Sequence, residues 1–180
     1  MTDDDSDAAL VLRCRDGNRR AFETLLARYE RQVFGAAYRI LHHREDAIDV
    51  TQTAFMSAYE HLDRFDPSQR FGSWLYRIAM NAALDCVRSH HRSEALPDDL
   101  PADRDGPEEM FAHDQDDLAM QQALMELKVE YRTVIVLKHL QDCSYEEIAQ
   151  ILECPVKTVK SRLFTARQAL RDVMAARGSL

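Results

Sequence analysis

Positive charge is concentrated in one stretch near the end of the printed sequence. Residues 157–171 read KTVKSRLFTARQALR and carry five lysines and arginines and no acid, whereas the 180 residues as a whole have a formal net charge of -8. Side chains of this type can neutralise the phosphates of a nucleic acid or donate hydrogen bonds to guanine edges. The charges alone are equally compatible with a solvated basic face on a surface helix. The sequence around them is therefore needed to distinguish DNA binding from a solvated face.

The residues around this stretch predict two helices joined by a short turn. Ser144 followed three residues later by Glu147 has the spacing of a capping box, and Pro155 suits the first turn of the next helix. Apolar residues then recur at spacings of three and four, which gives the second helix an inward face: Val156, Val159, Leu163, Ala166, Leu170 and Val173. This pattern is typical of a helix-turn-helix, whose second helix enters the major groove of DNA, and it favours DNA binding.

The composition predicts helices throughout. The chain has only 5 glycines and 5 prolines, 46% of its residues are hydrophobic, and no stretch sustains the alternation of apolar and polar residues that indicates a strand. We therefore predict an all-α protein. Helices are expected at residues 6–15, 19–41, 44–62 and 71–91, and again at 117–127, 130–140, 144–152 and 156–176.

An acidic segment divides the predicted helices into two groups. Residues 92–118 hold ten acids against two arginines and contain three prolines and a glycine, with little apolar periodicity. This composition predicts a flexible linker at 93–117, between helical domains at 1–92 and 118–180. A plain solvated loop and a linker with a charged partner of its own are both compatible with it.

Candidate metal ligands and targeting signals are weak. The four cysteines form no C-x-x-C pair, and the pairs His42, His43 and His90, His91 are neighbours on predicted helices, so their side chains point in different directions. We expect no metal, no cofactor and no enzymatic activity. The acidic N-terminus and the absence of an 18-residue apolar run predict no contact with a membrane and a cytoplasmic location.

Two long motifs carry a family resemblance. Residues 127–171, LKVEYRTVIVLKHLQDCSYEEIAQILECPVKTVKSRLFTARQALR, resemble the C-terminal promoter-binding domain of bacterial extracytoplasmic function (ECF) sigma factors. Residues 74–88 match W-L-x-x-I-A-x-N-x-x-x-D-x-x-R, which resembles the family's minus-10-binding stretch. Lys128 and Lys157 stand where the family usually has proline and glycine. The resemblance implies a transcription initiation factor that binds RNA polymerase core and promoter DNA.

The resemblance also implies where DNA is bound. Residues 65–70 form the loop that would capture a flipped base, while the polar groups of Asn81 and Asp85 and nearby arginines would hold the opened strand. The minus-10 candidates are Phe65, Arg70, Arg77, Asn81, Asp85 and Arg88. The resemblance assigns the minus-35 promoter element to the C-terminal domain. The residues expected to bind it are Lys157, Thr158, Lys160, Ser161, Arg162 and Arg167. Phe71 and Trp74 lie on an apolar stripe and are expected in the core instead.

By the same resemblance, residues 44–62 form the helix that binds the polymerase core. The family usually has D-A-E-D, two further residues, glutamine and another acid, but here Ile48 and Thr53 replace two of those acids. The polymerase-binding candidates are Asp46, Asp49, Gln52 and Phe55. Two negative charges are therefore missing from a surface that the resemblance places against a basic partner, and simple drift is one explanation.

Phosphorylation is the other explanation. A phosphate on Thr51 or Thr53 would restore about two negative charges near the gap. We therefore expect control by a Ser/Thr kinase, with Thr51 slightly favoured, or else by an anti-sigma factor. The alternative to the whole assignment is a helix-turn-helix regulator that binds duplex DNA alone, with the N-terminal lobe as a sensor or dimerisation domain.

Overall fold

A computed structural model describes residues 6–94 and 115–177. Of the described residues, 83% are helical and none lies in a strand, which confirms the all-α prediction. The helices are α1 (Asp7–Arg15), α2 (Arg19–Leu41), α3 (Arg44–Glu60), α4 (Phe71–Glu94), α5 (Gln115–Met125), α6 (Val129–Ile135), α7 (Tyr145–Ile151) and α8 (Val156–Ala176). None of these helices has the length and apolarity to cross a bilayer, as judged over the described ranges.

Side-chain caps fix where the N-terminal helices begin. The side chains of Ser6 and Asn18 accept hydrogen bonds from backbone amides in the first turns of α1 and α2. His42 ends α2 in the left-handed conformation, and the Nδ1 atom of His43 accepts the amide of Asp46 at 3.3 Å to begin α3. The reversal between α2 and α3 therefore takes two residues, which makes the two helices antiparallel neighbours.

An aromatic cluster anchors the start of α4. The rings of Phe65, Phe71 and Trp74 lie with centroids 5.3 to 5.8 Å apart, and Tyr29 from α2 packs 5.6 Å from Phe71. Gly72 lies so close to Tyr29 that a Cβ atom there would come within 2.9 Å of the tyrosine ring. Phe71 and Trp74 are buried, as their place on the apolar stripe predicts.

The C-terminal lobe is a capped helix-turn-helix on a two-helix base. Ser144 and Glu147 form the predicted capping box, with the Ser144 amide donating to Glu147 Oε2 at 2.7 Å and the Glu147 amide donating to Ser144 Oγ at 3.1 Å. The buried inner face of α8 is formed by Val159, Leu163 and Ala166. The predicted bounds of α8 agree with the structure.

The helix predicted at 130–140 differs in its second half. After α6 the chain continues as a π-helical turn, Val136–Leu140, in which the amide of Gln141 donates to the carbonyl of Val136 at 3.2 Å. The apolar run in this segment indicates burial but does not distinguish α from π winding, because both bury it. A 3₁₀ turn, Leu62–Arg64, likewise follows α3 instead of further α-helix.

The two lobes contact each other directly. Arg132 of α6 is buried and donates to the carbonyl of Ile40 at the end of α2, besides the carbonyl of Leu127 in its own lobe at 3.2 Å. Tyr76 of α4 donates to the side chain of Gln141. The lobes are therefore joined by buried polar contacts. Of the predicted linker, 93–117, the two ends belong to α4 and α5, and residues 95–114 lie outside the described residues.

Candidate nucleic-acid interface

The outer face of α8 presents the predicted cations. Lys157, Lys160 and Ser161 are exposed, and Thr158 and Arg162 are half-buried beside them. The Ser161 hydroxyl donates to the carbonyl of Thr158 at 3.0 Å, and Lys160 Nζ lies 5.5 Å from the centre of the Tyr145 ring. This cation–π contact directs the lysine along the helix-turn-helix surface and leaves it exposed to a ligand.

Phe164 lies on the same face and was missed by the sequence reasoning. Its side chain is 75% exposed, the highest value among the large hydrophobic residues that the structure describes. It lies four residues after Lys160 and three after Ser161, and therefore on their side of the helix. The signal was available in the sequence, because Phe164 falls between the apolar positions that form the buried stripe.

Arg167 is exposed and is oriented by a histidine. Its Nε atom donates to His139 Nε2 at 3.2 Å. Burial, followed by the positive charges of Arg167 and Lys138, lowers the pKa of His139. The imidazole therefore stays neutral and serves as an acceptor that orients the arginine on the flank of α8.

The middle of α4 carries the polar residues predicted for the minus-10 element. Asn81, Asp85 and Arg88 are exposed and follow one another at spacings of four and three, which places them on one face. Arg88 Nη1 lies 2.7 Å from Asp85 Oδ1. The structure thus brings these three residues together, as the sequence pattern predicts.

Arg70 and Arg77 face the other lobe instead. They line a cavity of about 130 Å³ together with Glu147 and Gln150 of α7, and Arg70 Nη1 lies 3.4 Å from Glu147 Oε1. The Ser73 hydroxyl donates to the same glutamate oxygen. Two cations of the predicted minus-10 surface therefore lie at the contact between the lobes in this structure.

Phe65 requires a correction. Its side chain is only 3% exposed and packs between Phe71 and Trp74, so its ring is a core element and not a surface on which a base could stack. The exposed part of the loop is residues 66–70. There the Asp66 carboxylate accepts the Ser68 amide at 2.9 Å, which lowers the pKa of Asp66 and fixes a tight turn.

Arg15 holds this loop in place from α1. Its guanidinium donates to the carbonyls of Leu62 at 2.7 and 3.0 Å, of Asp63 at 3.0 Å, and of Phe65. These carbonyls follow the end of α3, where the backbone has unsatisfied acceptors and a partial negative charge. The sequence contains no local sign of this role, because the partners are about 50 residues away.

The predicted polymerase-binding residues on α3 divide into exposed and buried groups. Asp49, Gln52 and Thr53 are exposed, and Asp46 is half-buried. Phe55 was wrongly predicted as a contact residue: it is 5% exposed and packs edge-on against Phe22. The exposed apolar residues of this helix are Met56, at 65%, and Tyr59, at 48%.

The two threonines of α3 are in opposite environments. Thr51 is 6% exposed, and its hydroxyl donates to the carbonyl of Ala47 at 2.6 Å, four residues earlier. Thr53 is exposed. A protein kinase must reach the hydroxyl oxygen, so the structure reverses the order in which sequence reasoning placed the two residues.

Each lobe matches a known protein family. Residues 25–93 match the family described as Sigma-70 region 2, and residues 117–170 match Sigma-70, region 4. The RNA polymerase sigma-H factor of Pseudomonas aeruginosa is 34% identical, with 94% of each chain covered. The ECF RNA polymerase sigma factor SigW of Bacillus subtilis is also 34% identical, over 89% of this chain and 92% of that protein.

Solved structures show the same architecture. CnrH in complex with the cytosolic domain of CnrY is similar with a TM-score of 0.73 at 30% identity, over 94% of this chain and 97% of that one. The sigma factor RpoE of Bartonella quintana in complex with the anti-sigma factor NepR gives 0.72 at 25% identity, over 86% and 96%. With the helix-turn-helix and the α4 surface in place, these likenesses establish that the chain belongs to the ECF group of the sigma-70 family, non-enzymatic transcription initiation factors that bind RNA polymerase core and act at promoter DNA.

Proposed function

We propose a division of labour between the two lobes. The N-terminal domain, 1–92, binds the polymerase core through α3 and opens the minus-10 element through α4. The C-terminal domain, 118–180, holds the minus-35 element through α8, and 93–117 links them. One observation supports this assignment above the others: two exposed faces suited to nucleic acid lie on separate lobes, at Asn81, Asp85 and Arg88 and at Lys157, Lys160 and Ser161.

The chemistry of α8 fits duplex reading in the major groove. Lysines at the start of a recognition helix can contact phosphates or guanine edges, and Ser161 can hydrogen-bond to a base. Phe164 adds an apolar group of the kind that contacts thymine methyls. The proposed minus-35 site therefore combines the exposed residues Lys157, Lys160, Ser161 and Phe164, with Arg167 beside them. Thr158 and Arg162 are half-buried and contribute less.

The chemistry of α4 fits the capture of a single strand. The exposed loop at 66–70 and the amide of Asn81 offer hydrogen-bonding groups, and Arg70, Arg77 and Arg88 offer phosphate contacts. Stacking on Phe65 is not part of this proposal because that ring is buried. Base recognition in the loop would then depend on backbone groups and on polar side chains.

In this structure the two lobes contact each other, and we call this arrangement closed. The closed arrangement cannot bind both promoter elements at once. A compact chain of this length is about 40 Å across, whereas elements about 25 base pairs apart are separated by about 80 Å of B-form DNA. The lobes must therefore separate, and Arg70 and Arg77 must leave the cavity that they share with Glu147. Binding to polymerase supplies a surface on which the two lobes can be held apart.

Control by phosphorylation is proposed at Thr53. Its hydroxyl is accessible, it lies one turn after Asp49, and a phosphate there would add about two negative charges to the exposed face of α3. Thr51 is the less suitable site because it is buried. We also propose a cytoplasmic location, because a factor that acts at promoter DNA has to be in the compartment that holds the chromosome. An anti-sigma factor is the alternative regulator, supported by the similar structures of CnrH with the cytosolic domain of CnrY and of RpoE with the anti-sigma factor NepR.

A reconstituted promoter-opening experiment tests the division of labour. Core polymerase, the full chain and a selected promoter would be followed by the fluorescence of a base analogue in the minus-10 element. We expect Asn81→Ala to slow opening while promoter binding persists, and Lys160→Ala to weaken binding. Lys128→Ala is the matched control, because it removes the same positive charge from an exposed position before α6, where the side chain makes no capping hydrogen bond. Equal effects of Lys160→Ala and Lys128→Ala would contradict the proposed minus-35 site.

A further inference from the structure

Three potential metal ligands converge where α4 passes the start of α3. The Nε2 atom of His90 lies 3.9 Å from the Sγ atom of Cys86 and 3.6 Å from the Oδ2 atom of Asp46. One ligand atom from each of the three residues lies within 4.8 Å of the other two. The expectation of no metal site considered the histidine pairs and the cysteine spacing, and it could not foresee that α3 brings a carboxylate to Cys86 and His90.

The fold explains this convergence. Cys86 and His90 are four residues apart on α4 and therefore lie on one face of the helix. Asp46 is in the first turn of α3, which packs along α4. Because the three residues come from two rigid helices, their arrangement does not depend on a flexible loop.

Asp46 Oδ2 is a buried acceptor that no strong donor among the described residues satisfies. The neighbouring Cys86 thiol is only a weak donor to this carboxylate. His43 Nδ1 lies 3.1 Å away, but that nitrogen already accepts the amide of Asp46 and so faces the carboxylate as a second acceptor. A cation between Asp46, Cys86 and His90 would remove this deficit.

The distances fit a tetrahedral metal. Bonds of about 2.0 to 2.3 Å to nitrogen, oxygen and sulfur place ligand atoms about 3.3 to 3.8 Å apart around a tetrahedral ion. The separations of 3.6 and 3.9 Å lie at or just beyond this range. The third separation, between the ligand atoms of Asp46 and Cys86, is within 4.8 Å, so a bound ion would have to draw the three side chains together.

We propose that Asp46, Cys86 and His90 bind a divalent transition-metal ion of the zinc type. A thiolate, an imidazole and a carboxylate together suit Zn²⁺ and disfavour Mg²⁺ and Ca²⁺, which prefer oxygen ligands only. The fourth position is left for water or for a ligand from outside. Cysteine binds a metal ion as the thiolate, so binding of the ion would release the thiol proton of Cys86 to solvent.

A metal ion at this site would affect polymerase binding, an inference that rests on the proposed function. Asp46 is one of the acids assigned to the polymerase-binding surface of α3, and Asp49 is the other. An ion bound to Asp46 would neutralise its charge on a surface that already has Ile48 and Thr53 in place of acids. Zinc and core polymerase should therefore compete for the chain.

Cobalt substitution tests the metal site without polymerase. The full chain, stripped with a chelator, would be titrated with Co²⁺, and Zn²⁺ would then be added as a competitor. We expect one equivalent of Co²⁺ to give the absorption bands of a tetrahedral, thiolate-bound ion, and Zn²⁺ to abolish them. Cys86→Ser and His90→Ala should each weaken binding by at least about 100-fold, more than the loss of an outer-shell partner costs.

Cys154→Ser is the matched control, because Cys154 is a half-buried thiol in the other lobe. Binding should be unchanged in this variant, and the absence of thiolate bands in the unmodified chain would overturn the proposal. Equal loss in Cys86→Ser and Cys154→Ser would also overturn it. If zinc binds as expected but does not reduce affinity for core polymerase, the metal site stands and the assignment of Asp46 to the polymerase surface fails.

Discussion

Ser73 of α4 donates its hydroxyl to Glu147, the carboxylate that also caps the first helix of the helix-turn-helix. One side chain thus completes the fold of the C-terminal lobe and holds it against the N-terminal lobe. Arg70, a candidate for the minus-10 strand, lies 3.4 Å from the same carboxylate. The contact that closes the two lobes therefore also involves an arginine that we propose as a phosphate contact for the opened minus-10 strand.

Opening of the lobes should follow from Ser73→Asp. The new carboxylate would lie against Glu147, where like charges at short range repel each other. We expect the radius of gyration in small-angle X-ray scattering to rise by several ångströms above the compact value of about 16 Å. Ser89→Asp, an exposed position on the same helix, is the control and should leave the radius unchanged. If the Ser73→Asp variant stays compact, other contacts are sufficient to hold the two lobes together.

Acid should also open the lobes. Burial alone would raise the pKa of Glu147, but hydrogen bonds from Ser73 and Ser144, with the charge of Arg70, lower it below its ordinary value of 4.5. A lowered pKa means that the closed form is stabilised above the ordinary value and loses this contribution as the pH falls through the lowered one. Energy transfer between dyes on the two lobes should therefore drop only below pH 4.5. A transition well above that pH would assign the closure to another group.

The two threonines of α3 should respond oppositely to glutamate. Thr51→Glu places a charge in a site that is 6% exposed, and we expect a loss of about 3 kcal/mol in the free energy of unfolding. Thr53→Glu adds an exposed charge and should raise affinity for core polymerase by about threefold, the size of one surface ion pair. Urea unfolding and fluorescence anisotropy measure the two effects. Thr53→Gln, which has the same size without the charge, should gain nothing.

Salt dependence should separate the two kinds of contact on α8. Lys160→Ala removes a phosphate or base contact, so the slope of log K against log salt for holoenzyme binding should fall by about 1. Phe164→Ala should leave the slope unchanged and cost on the order of 1 kcal/mol, with the loss confined to promoters that carry thymine under the ring. If Phe164→Ala weakens all promoters equally, its proposed contact with a thymine methyl is wrong.

Local rules of helix formation account for what the sequence could predict. The capping box at Ser144 and Glu147 and the apolar stripe of α8 depend on residues within a few turns of one another, so their spacing indicates both the fold and the exposed cations. Asn81 and Asp85 were correctly placed on one exposed face for the same reason. These parts of the candidate site follow from the period of the helix.

Burial and long-range contacts could not be predicted in the same way. Phe55 and Phe65 have the residue type of a stacking surface, but partners distant in sequence or at the next helix bury them. Thr51 tolerates burial because its hydroxyl is satisfied by the carbonyl of Ala47. The carbonyls held by Arg15 and the approach of Asp46 to Cys86 both depend on how helices pack, which no local pattern records.

We propose that the free chain holds its lobes closed and binds promoter DNA only when polymerase separates them. Nuclease footprinting of a selected promoter, with the chain alone and with the chain plus core polymerase, distinguishes this order of events from unaided DNA binding. We predict protection of the minus-35 and minus-10 elements only when core polymerase is present, and partial protection of minus-35 by the Ser73→Asp variant alone. A clear footprint from the unmodified chain without polymerase would contradict the account and favour a regulator that binds duplex DNA by itself.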